Sequence, residues 1–193
     1  MAIKRRVQCK SRLATALEPK ARLALVRAML RHVLSALDAA ETVQQYAVVS
    51  PERDTIPAQV LVLADAGEGL NEAVSHAYGS MLKLGAREVL ILPADLPNVT
   101  GSEIDQLVRA GRTGGFALAP DADEVGTNGL FLAHRGAFPF QFGSDSRRLH
   151  LAAARRLGLP DCVVRLPGLA LDVDAPVHLR QMEQDTCIDQ LRA

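Results

Sequence analysis

The sequence contains no tryptophan, and only 4% of its residues are aromatic. Proteins that bind single-stranded nucleic acid stack its bases on aromatic side chains, so this class is poorly supported. An excess of charge is also lacking, because 22 lysine and arginine residues balance 22 aspartate and glutamate residues. Without an overall electrostatic field, neither nucleic acid nor a membrane is an expected partner, and an anionic ligand must be bound by local groups.

Cysteine is scarce, and long hydrophobic runs are missing. Cys9, Cys162 and Cys187 are far apart, form no C-x-x-C pair and lack zinc-ligand spacing. This pattern argues against a disulfide framework and favours a reducing compartment. The basic start MAIKRRVQCKSRL is not followed by an apolar segment, and no run approaches the length of a membrane span. The sequence therefore predicts a cytoplasmic protein.

Helical and strand patterns alternate along the 193 residues, a length that fits one domain spanning 1–193. Apolar spacing predicts an amphipathic helix over 19–37, and a T-x-x-E capping box at Thr100 and Glu103 predicts the start of a helix to about 110. The other predicted elements are helices at 71–84 and 146–157 and strands at 46–50, 60–65, 88–95, 116–120, 129–134, CVVRL and ALDVD. This order predicts an α/β fold, a three-layer sandwich with a mostly parallel sheet, whose ligand crevice lies beyond the carboxyl ends of the strands.

Three carboxylates follow predicted strands. Asp95 closes the apolar segment LILPAD, and Asp172 and Asp174 lie two residues apart near the end of ALDVDAP. A two-residue spacing in a strand places both side chains on one face, and oxygen ligands of this kind suit Mg²⁺ that bridges to substrate phosphates. The alternative, weighed equally for this motif, is that Asp174 caps a terminal helix and Asp95 begins a turn before Pro97.

Glycine-rich turns supply candidate anion sites. GEGLN (67–71) leads into a predicted helix, whose first amides could meet a phosphate. VGTNG (125–129) and FGSDS (142–146) combine glycine with hydroxyl side chains, as loops around a small anion do. Ordinary turns, with Ser146 as a helix N-cap, explain the same residues. The five histidines have no ligand spacing, and most are expected at the surface or between elements.

Several short motifs follow one another along the chain, and their combination is more specific than any one of them. They are KSRLA (10–14), RAML, VVS, GLN (69–71), LPADLP (92–97), APD, GTNGL (126–130), FGSDS followed by His150, and PGLALDVDAP (167–176). In this combination the whole chain resembles the 2-phospho-L-lactate guanylyltransferase family. That family includes enzymes that act on phosphoenolpyruvate and on 3-phosphoglycerate in the biosynthesis of the deazaflavin coenzyme F-420.

The resemblance implies a Rossmann-like nucleotidyltransferase fold of the nucleotide-diphospho-sugar transferase type. It also implies GTP, Mg²⁺ and a small phosphorylated three-carbon acid as ligands. The implied metal-binding and catalytic residues are Asp95, Asp172 and Asp174. The implied acceptor-binding residues are Thr127, Gly143 and Ser146, and the implied nucleotide-binding residues are Lys4, Lys10, Arg12, Gly69 and Asn71.

The chain departs from the family pattern at two places. Only Met1 to Ile3 precede Lys4, so the first strand is expected to be short or missing. Asp145, Ser146 and Arg147 stand where the family has Gly-Ser-Phe, so the acceptor can differ from phospholactate. Two alternatives stay open: a related nucleotidyltransferase with another nucleotide or acceptor, and a catalytically silent protein that binds a nucleotide or a partner.

The expected reaction is attack of the acceptor's phosphate oxygen on the α-phosphorus of GTP, with release of pyrophosphate. The product would contain a labile phosphoanhydride, which favours hand-off to a downstream transferase. The sequence leaves the oligomeric state open, with a homodimer as one expectation.

Overall fold

A computed structural model of the chain describes residues 11–51, 53, 56–65, 69–173 and 177–178. Its helices are α1 (Pro19–Ala39), α2 (Leu70–Lys83), α3 (Gly101–Arg112), α4 (Ser146–Arg156) and α5 (Pro167–Ala170), and a 3₁₀ turn spans Ser11–Thr15. Its strands are β1 (Ala47–Ser50), β2 (Leu61–Ala64), β3 (Val89–Ile91), β4 (Phe116–Pro120) and β5 (Thr127–Leu132). None of the helices in these ranges is both long and apolar enough to cross a membrane.

Both parallel and antiparallel pairs hold the strands together. β1 and β2 run parallel, with Ala47 opposite Leu61. β5 lies between β3 and β4 and is antiparallel to both, so β3 and β4 run parallel to each other. Val163 pairs in parallel with Leu118 of β4 and extends this sheet. The predicted α/β class with parallel strand pairing is confirmed, and β5 adds an antiparallel strand.

The two faces of β4 pack against different helices, because successive side chains of a strand point to opposite sides. Phe116 and Leu118 belong to a cluster of buried side chains that includes Tyr78 of α2 and residues of α4. Ala117 and Ala119 belong to another cluster, together with residues of α1 and α3. Helices therefore cover both faces of the sheet, as the predicted three-layer sandwich requires.

Helix α3 is fixed by its first turn and by a close approach to β5. The predicted capping box is confirmed, since Thr100 Oγ1 accepts from Glu103 N and the Glu103 carboxylate accepts from Thr100 N. The second oxygen of Glu103 accepts from Gly168 N of α5 at 2.7 Å. At the other end of α3, a Cβ on Gly111 would overlap the ring of Phe131. Glycine at this position therefore allows the helix to lie directly on the ring.

β3 is shorter than the sequence predicts, and the predicted strands at CVVRL and ALDVD are not formed: CVVRL contributes only the bridge of Val163, and the described residues of ALDVD form no strand. β3 ends at Ile91 rather than at residue 95, and Pro93 has no N–H to donate to a neighbouring strand. The strand predicted at ALDVD is wrong for the described residues 170–173. Ala170 ends α5, which Pro167 opens from its first turn, and 171–173 belong to no helix or strand.

Candidate active site

Polar side chains collect at one edge of the sheet, where β3 and β4 end and β5 begins. Pro120, the last residue of β4, pairs with Thr127, the first residue of β5. Ile91, the last residue of β3, pairs with Leu130 further along β5. Residues just after β3 and β4 therefore approach the beginning of β5, at the carboxyl ends of the two parallel strands. The sequence predicts the ligand crevice at this position.

Two of the predicted metal ligands lie on adjacent segments at this edge. Val173 N donates to Asp95 O at 3.2 Å, so the chain around Asp172 runs beside Asp95. The buried side chain of Asn128 holds the same segment, because its Nδ2 donates to Leu169 O at 2.9 Å and to Asp172 Oδ1 at 3.4 Å. Asp95 and Asp172 are both half-buried. Asp174 lies outside the described residues, so the full set of three carboxylates stays a prediction.

The donor chemistry of this edge fits a magnesium ion. Mg²⁺ is usually bound through one or two carboxylates, with substrate phosphates and water completing six oxygen ligands. Within the part of the chain that the structure describes, no three His, Cys, Asp or Glu side chains gather into a metal-binding group. A magnesium site formed by Asp95, Asp172 and Asp174 therefore stays a prediction.

The predicted acceptor residue Thr127 is bonded to a buried histidine. Thr127 is 7% exposed, and its Oγ1 lies 3.0 Å from Nδ1 of His150. The other ring nitrogen, Nε2, accepts from Gln141 N at 3.0 Å. His150 is fully buried, and this burial lowers its pKa to about 4. His150 therefore lies between elements rather than at the surface.

Main-chain hydrogen bonds hold the segment that carries Gly143 and Ser146, the other two residues predicted to bind the acid. Gly143 has a φ of +124°, a conformation that favours glycine, and its carbonyl accepts from Ser146 N at 3.2 Å. Ser146 is the first residue of α4 and is 2% exposed, while Asp145 precedes the helix in the left-handed region. Asp145, not Ser146, is therefore the residue at the N-cap.

Main-chain and arginine contacts join this segment to the loop before β5. Arg147 N donates to Val125 O at 3.0 Å, and Arg147 Nη1 donates to Glu124 O at 3.0 Å. Asp121 shapes the same loop, because its two carboxylate oxygens accept from Val125 N and Gly126 N, each at 2.9 Å. The loop leading to Thr127 and the loop leading to Ser146 therefore form one hydrogen-bonded unit.

A cavity of about 360 Å³ adjoins this unit. Its lining residues are Glu124, Asp145, Arg147, Arg148, Leu151 and Arg155. The ion pair with Arg165 is the main cause that lowers the pKa of Glu124, and Arg148 pairs with Asp145. The charges along this cavity are therefore largely matched, with arginines in excess.

The predicted nucleotide-binding residues fall into two groups. Lys4 and Lys10 lie outside the described residues, as does the side chain of Arg12. Gly69 has a φ of +118° and directly precedes α2, in which Asn71 is the second residue. The Asn71 amide donates to Phe142 O at 3.2 Å and accepts from Phe142 N at 2.7 Å. The start of α2 is therefore bonded to the segment before Gly143, and the role of these residues towards a nucleotide stays a prediction.

Two residues with clear structural roles, His150 and Asn128, received no role in the sequence analysis. A signal for His150 exists, because Ser146, His150, Ala153 and Ala154 follow helical spacing and are all buried. For Asn128 the signal is weaker. It is one polar residue inside the buried strand TNGLFL, and buried polar groups need hydrogen-bond partners.

The chain is similar to known proteins over nearly its whole length. Residues 1–183 match the model of a family described as guanylyl transferase CofC like. A phosphoenolpyruvate guanylyltransferase from Sphaerobacter thermophilus is 40% identical over 184 residues, which cover 93% of this chain and 89% of the relative. A protein of the same name from Rubrobacter xylanophilus is 37% identical over 179 residues, covering 90% and 87%.

A solved structure supports the fold. A protein from Desulfovibrio desulfuricans, described as a nucleotide-diphospho-sugar transferase, superposes with a TM-score of 0.76. The match covers 98% of this chain and 95% of that protein, at 16% identity. A likeness at this identity confirms the predicted type of fold and carries nothing further.

Proposed function

Because the chain belongs to the CofC-like guanylyl transferase family, we propose that it transfers GMP from GTP to phosphoenolpyruvate and releases pyrophosphate. The acceptor is the one that the relatives from Sphaerobacter and Rubrobacter carry in their names. The product would serve the biosynthesis of the deazaflavin coenzyme F-420, as the family resemblance implies.

The observation that supports this proposal is that the segments carrying Asp95, Asp172 and Thr127 adjoin at one edge of the sheet. Val173 N bonds to Asp95 O, and Asn128, the neighbour of Thr127, bonds to Asp172. A site for transfer between two anions needs groups that bind each of them at a short separation. Hydrogen bonds join the segments that carry the predicted metal ligands, Asp95 and Asp172, to the segment that carries Thr127, which is predicted to bind the acid. This arrangement would bring the two anions close together.

The chemistry requires no protein base. A phosphomonoester loses its second proton with a pKa near 6, about as for phosphoserine, so the acceptor phosphate is mostly a dianion at neutral pH. One of its oxygens attacks the α-phosphorus of GTP and forms a new P–O bond. The bond from the α-phosphorus to the bridging oxygen breaks, and pyrophosphate takes the electron pair. The chain's task is to align the two anions and reduce their repulsion.

The residues divide this task between them. Asp95, Asp172 and Asp174 would hold Mg²⁺, which supplies positive charge to the phosphate oxygens when it is bound. Thr127, Gly143 and Ser146 would bind the acid, with Arg147 close to Ser146 in the same loop unit. Lys4, Lys10 and Arg12 would bind the triphosphate, and Gly69 and Asn71 would lie on the nucleotide side of the cleft. We propose further that residues 1–193 form a single domain and that the protein is a homodimer. The labile product would be handed to a downstream transferase.

The test is an assay of the purified chain with GTP and Mg²⁺ and each of three acids in turn. Phosphoenolpyruvate, 2-phospholactate and 3-phosphoglycerate are compared by pyrophosphate release and by the mass of the product. We expect release with phosphoenolpyruvate and a product that contains GMP joined to the acid. CTP in place of GTP tests for a related nucleotidyltransferase. GTP-dependent thermal stabilisation without pyrophosphate release would instead identify a silent nucleotide-binding protein.

A further inference from the structure

The hydrogen bonds around His150 define which of its nitrogens carries a proton. Nε2 lies 3.0 Å from Gln141 N, and Nδ1 lies 3.0 Å from Thr127 Oγ1. A main-chain N–H can only donate, so Nε2 must accept and carries no proton. An imidazole with an unprotonated Nε2 is neutral and has its proton on Nδ1. The bond to Thr127 therefore runs from Nδ1–H to Oγ1.

The surroundings of the ring support this neutral form. His150 is 0% exposed, and its ring lies in a T-shaped contact with Phe142 at a centroid distance of 4.7 Å. Phe138 is a further aromatic neighbour, at 6.0 Å. Burial among apolar rings disfavours a charged imidazolium, and it lowers the pKa of His150 to about 4. The ring stays neutral at physiological pH, with one nitrogen fixed as an acceptor and the other as a donor.

The proton on Nδ1 determines what the Thr127 hydroxyl can do. Because Oγ1 accepts from His150, the hydroxyl hydrogen cannot point at that ring and must be directed to another acceptor. Thr127 is the first residue of β5, at the edge of the sheet where the loop before β5 meets the loop before α4. Carboxylate and phosphate oxygens of an ionised acid only accept hydrogen bonds. A hydroxyl held as a donor is the form that such an anion needs.

We propose that His150 is a positioning residue that holds the Thr127 hydroxyl as a hydrogen-bond donor to an anionic oxygen of the small phosphorylated acid. The inference rests on the proposed function, which assigns Thr127 to that substrate. His150 is fully buried and acts through Thr127. If Nδ1 lacked its proton, the hydroxyl would donate to the ring and turn its lone pairs towards the anion.

Matched variants separate this role from a purely structural one. Glutamine at 150 can offer an oxygen to Gln141 N–H in place of Nε2 but no donor at the Nδ1 position, whereas asparagine can offer the donor. We expect His150→Gln and Thr127→Val each to raise the KM for phosphoenolpyruvate about ten- to hundred-fold, with the KM for GTP unchanged. Thr127→Ser and His150→Asn should recover most of the loss, and His76→Gln, at an exposed position of α2, is the control.

The double variant tests whether His150 acts through the hydroxyl. If it does, T127V/H150Q should bind the acid no more weakly than T127V alone, because the hydroxyl is already gone. Independent, multiplying effects of the two substitutions would overturn the inference. So would a His150→Gln protein that melts at a lower temperature but keeps the wild-type KM for the acid.

Two further measurements separate this inference from the proposed function. The imidazole ¹⁵N chemical shifts of His150 in the wild-type protein should show a protonated Nδ1 and an unprotonated Nε2. The opposite tautomer would overturn the inference. Calorimetric titration of phosphoenolpyruvate, with Mg²⁺ and a GTP analogue whose α–β bridging oxygen is replaced by a methylene group, measures binding without turnover. Binding that depends on Thr127 and His150 but gives no pyrophosphate with GTP would remove the proposed function and keep the inference. Equal binding by wild type and T127V, or none by either, would remove the inference.

Discussion

The two ends of β5 are held by different kinds of contact. At its carboxyl end, Phe131 packs against Gly111, and the neighbouring side chains are apolar. At its amino end, Thr127 and Asn128 are also buried, but hydrogen bonds hold them to His150 and to the chain at 169–172. Packing has no preferred direction, whereas a hydrogen bond fixes both distance and polarity. One strand thus carries the core of the fold at one end and the candidate site at the other.

The largest expected effect is loss of turnover when the carboxylates near the amino end of β5 are removed. Asp95→Ala and Asp172→Ala should each lower kcat/KM by about a thousandfold, since they remove charge that would hold the metal against the phosphates. Pyrophosphate release measures the activity, and circular dichroism measures the melting temperature, which should change little. Asp38→Ala, in the exposed last turn of α1, is the matched control. Wild-type pyrophosphate release by D95A would exclude the metal assignment.

A smaller effect should appear in the pH dependence of stability. The unfolded chain binds a proton at His150 with a pKa near 6.5, whereas the folded chain does so only at about 4. Between these values the unfolded state holds more protons, so the free energy of unfolding falls as the pH is lowered through this window. The loss should be about 2 kcal/mol by pH 5 and roughly 3 kcal/mol by pH 4.

Urea unfolding of wild type and His150→Gln, at pH 7 and at pH 5, measures this contribution. The wild type should lose about 2 kcal/mol more than the variant between the two pH values. Equal losses in both proteins would show that His150 takes up its proton as readily when folded as when unfolded.

Changing the apolar end should affect stability without affecting the chemistry. Gly111→Ala should lower the free energy of unfolding by about 2 kcal/mol, because the new Cβ overlaps the buried ring of Phe131. Gly79→Ala, on α2 with open space around the Cβ position, should raise it by up to about 1 kcal/mol. Urea unfolding measures both, and the KM for each substrate should stay at its wild-type value. A change in the KM of G111A would show that the two ends of β5 are coupled.

The smallest effect is expected at the surface. Arg112 bonds to both carboxylate oxygens of Glu88, but both side chains are substantially exposed. Glu88→Gln should therefore lower the free energy of unfolding by less than about 1 kcal/mol, and less again in 1 M salt. A larger loss would place this pair among the contacts that hold α3 on the sheet.

The sequence predicts most of the fold because its signals are local. Helical spacing located α1 and α2, and the T-x-x-E motif located the start of α3. β3 was predicted too long because an apolar run continues into residues that pair with no strand, up to and beyond Pro93. Local periodicity reports burial, and burial alone does not define where a strand ends.

The site was less accessible to sequence reasoning, because it depends on contacts between distant parts of the chain. Asp95, Thr127 and Ser146 could be named from motifs. The pairing of Asn71 with Phe142 joins residues 71 positions apart, and no local pattern reports it. His150 shares a helix face with Ala153 and Ala154, but that spacing does not identify its hydrogen-bond partners. Which carboxylates, hydroxyls and imidazoles meet is decided by tertiary packing.

Glu103 connects the stability of one helix end to the geometry of the site. Its carboxylate caps the first turn of α3 and also accepts from Gly168 N, only a few residues before Asp172. If this turn opened, the segment 168–172 would lose an anchor in the same event. Native-state hydrogen exchange should then find one opening free energy shared by the amides of Glu103 and Gly168, and Glu103→Ala should lower both together. Glu103→Ala would in this way loosen the segment that carries Asp172, which we propose as a metal ligand.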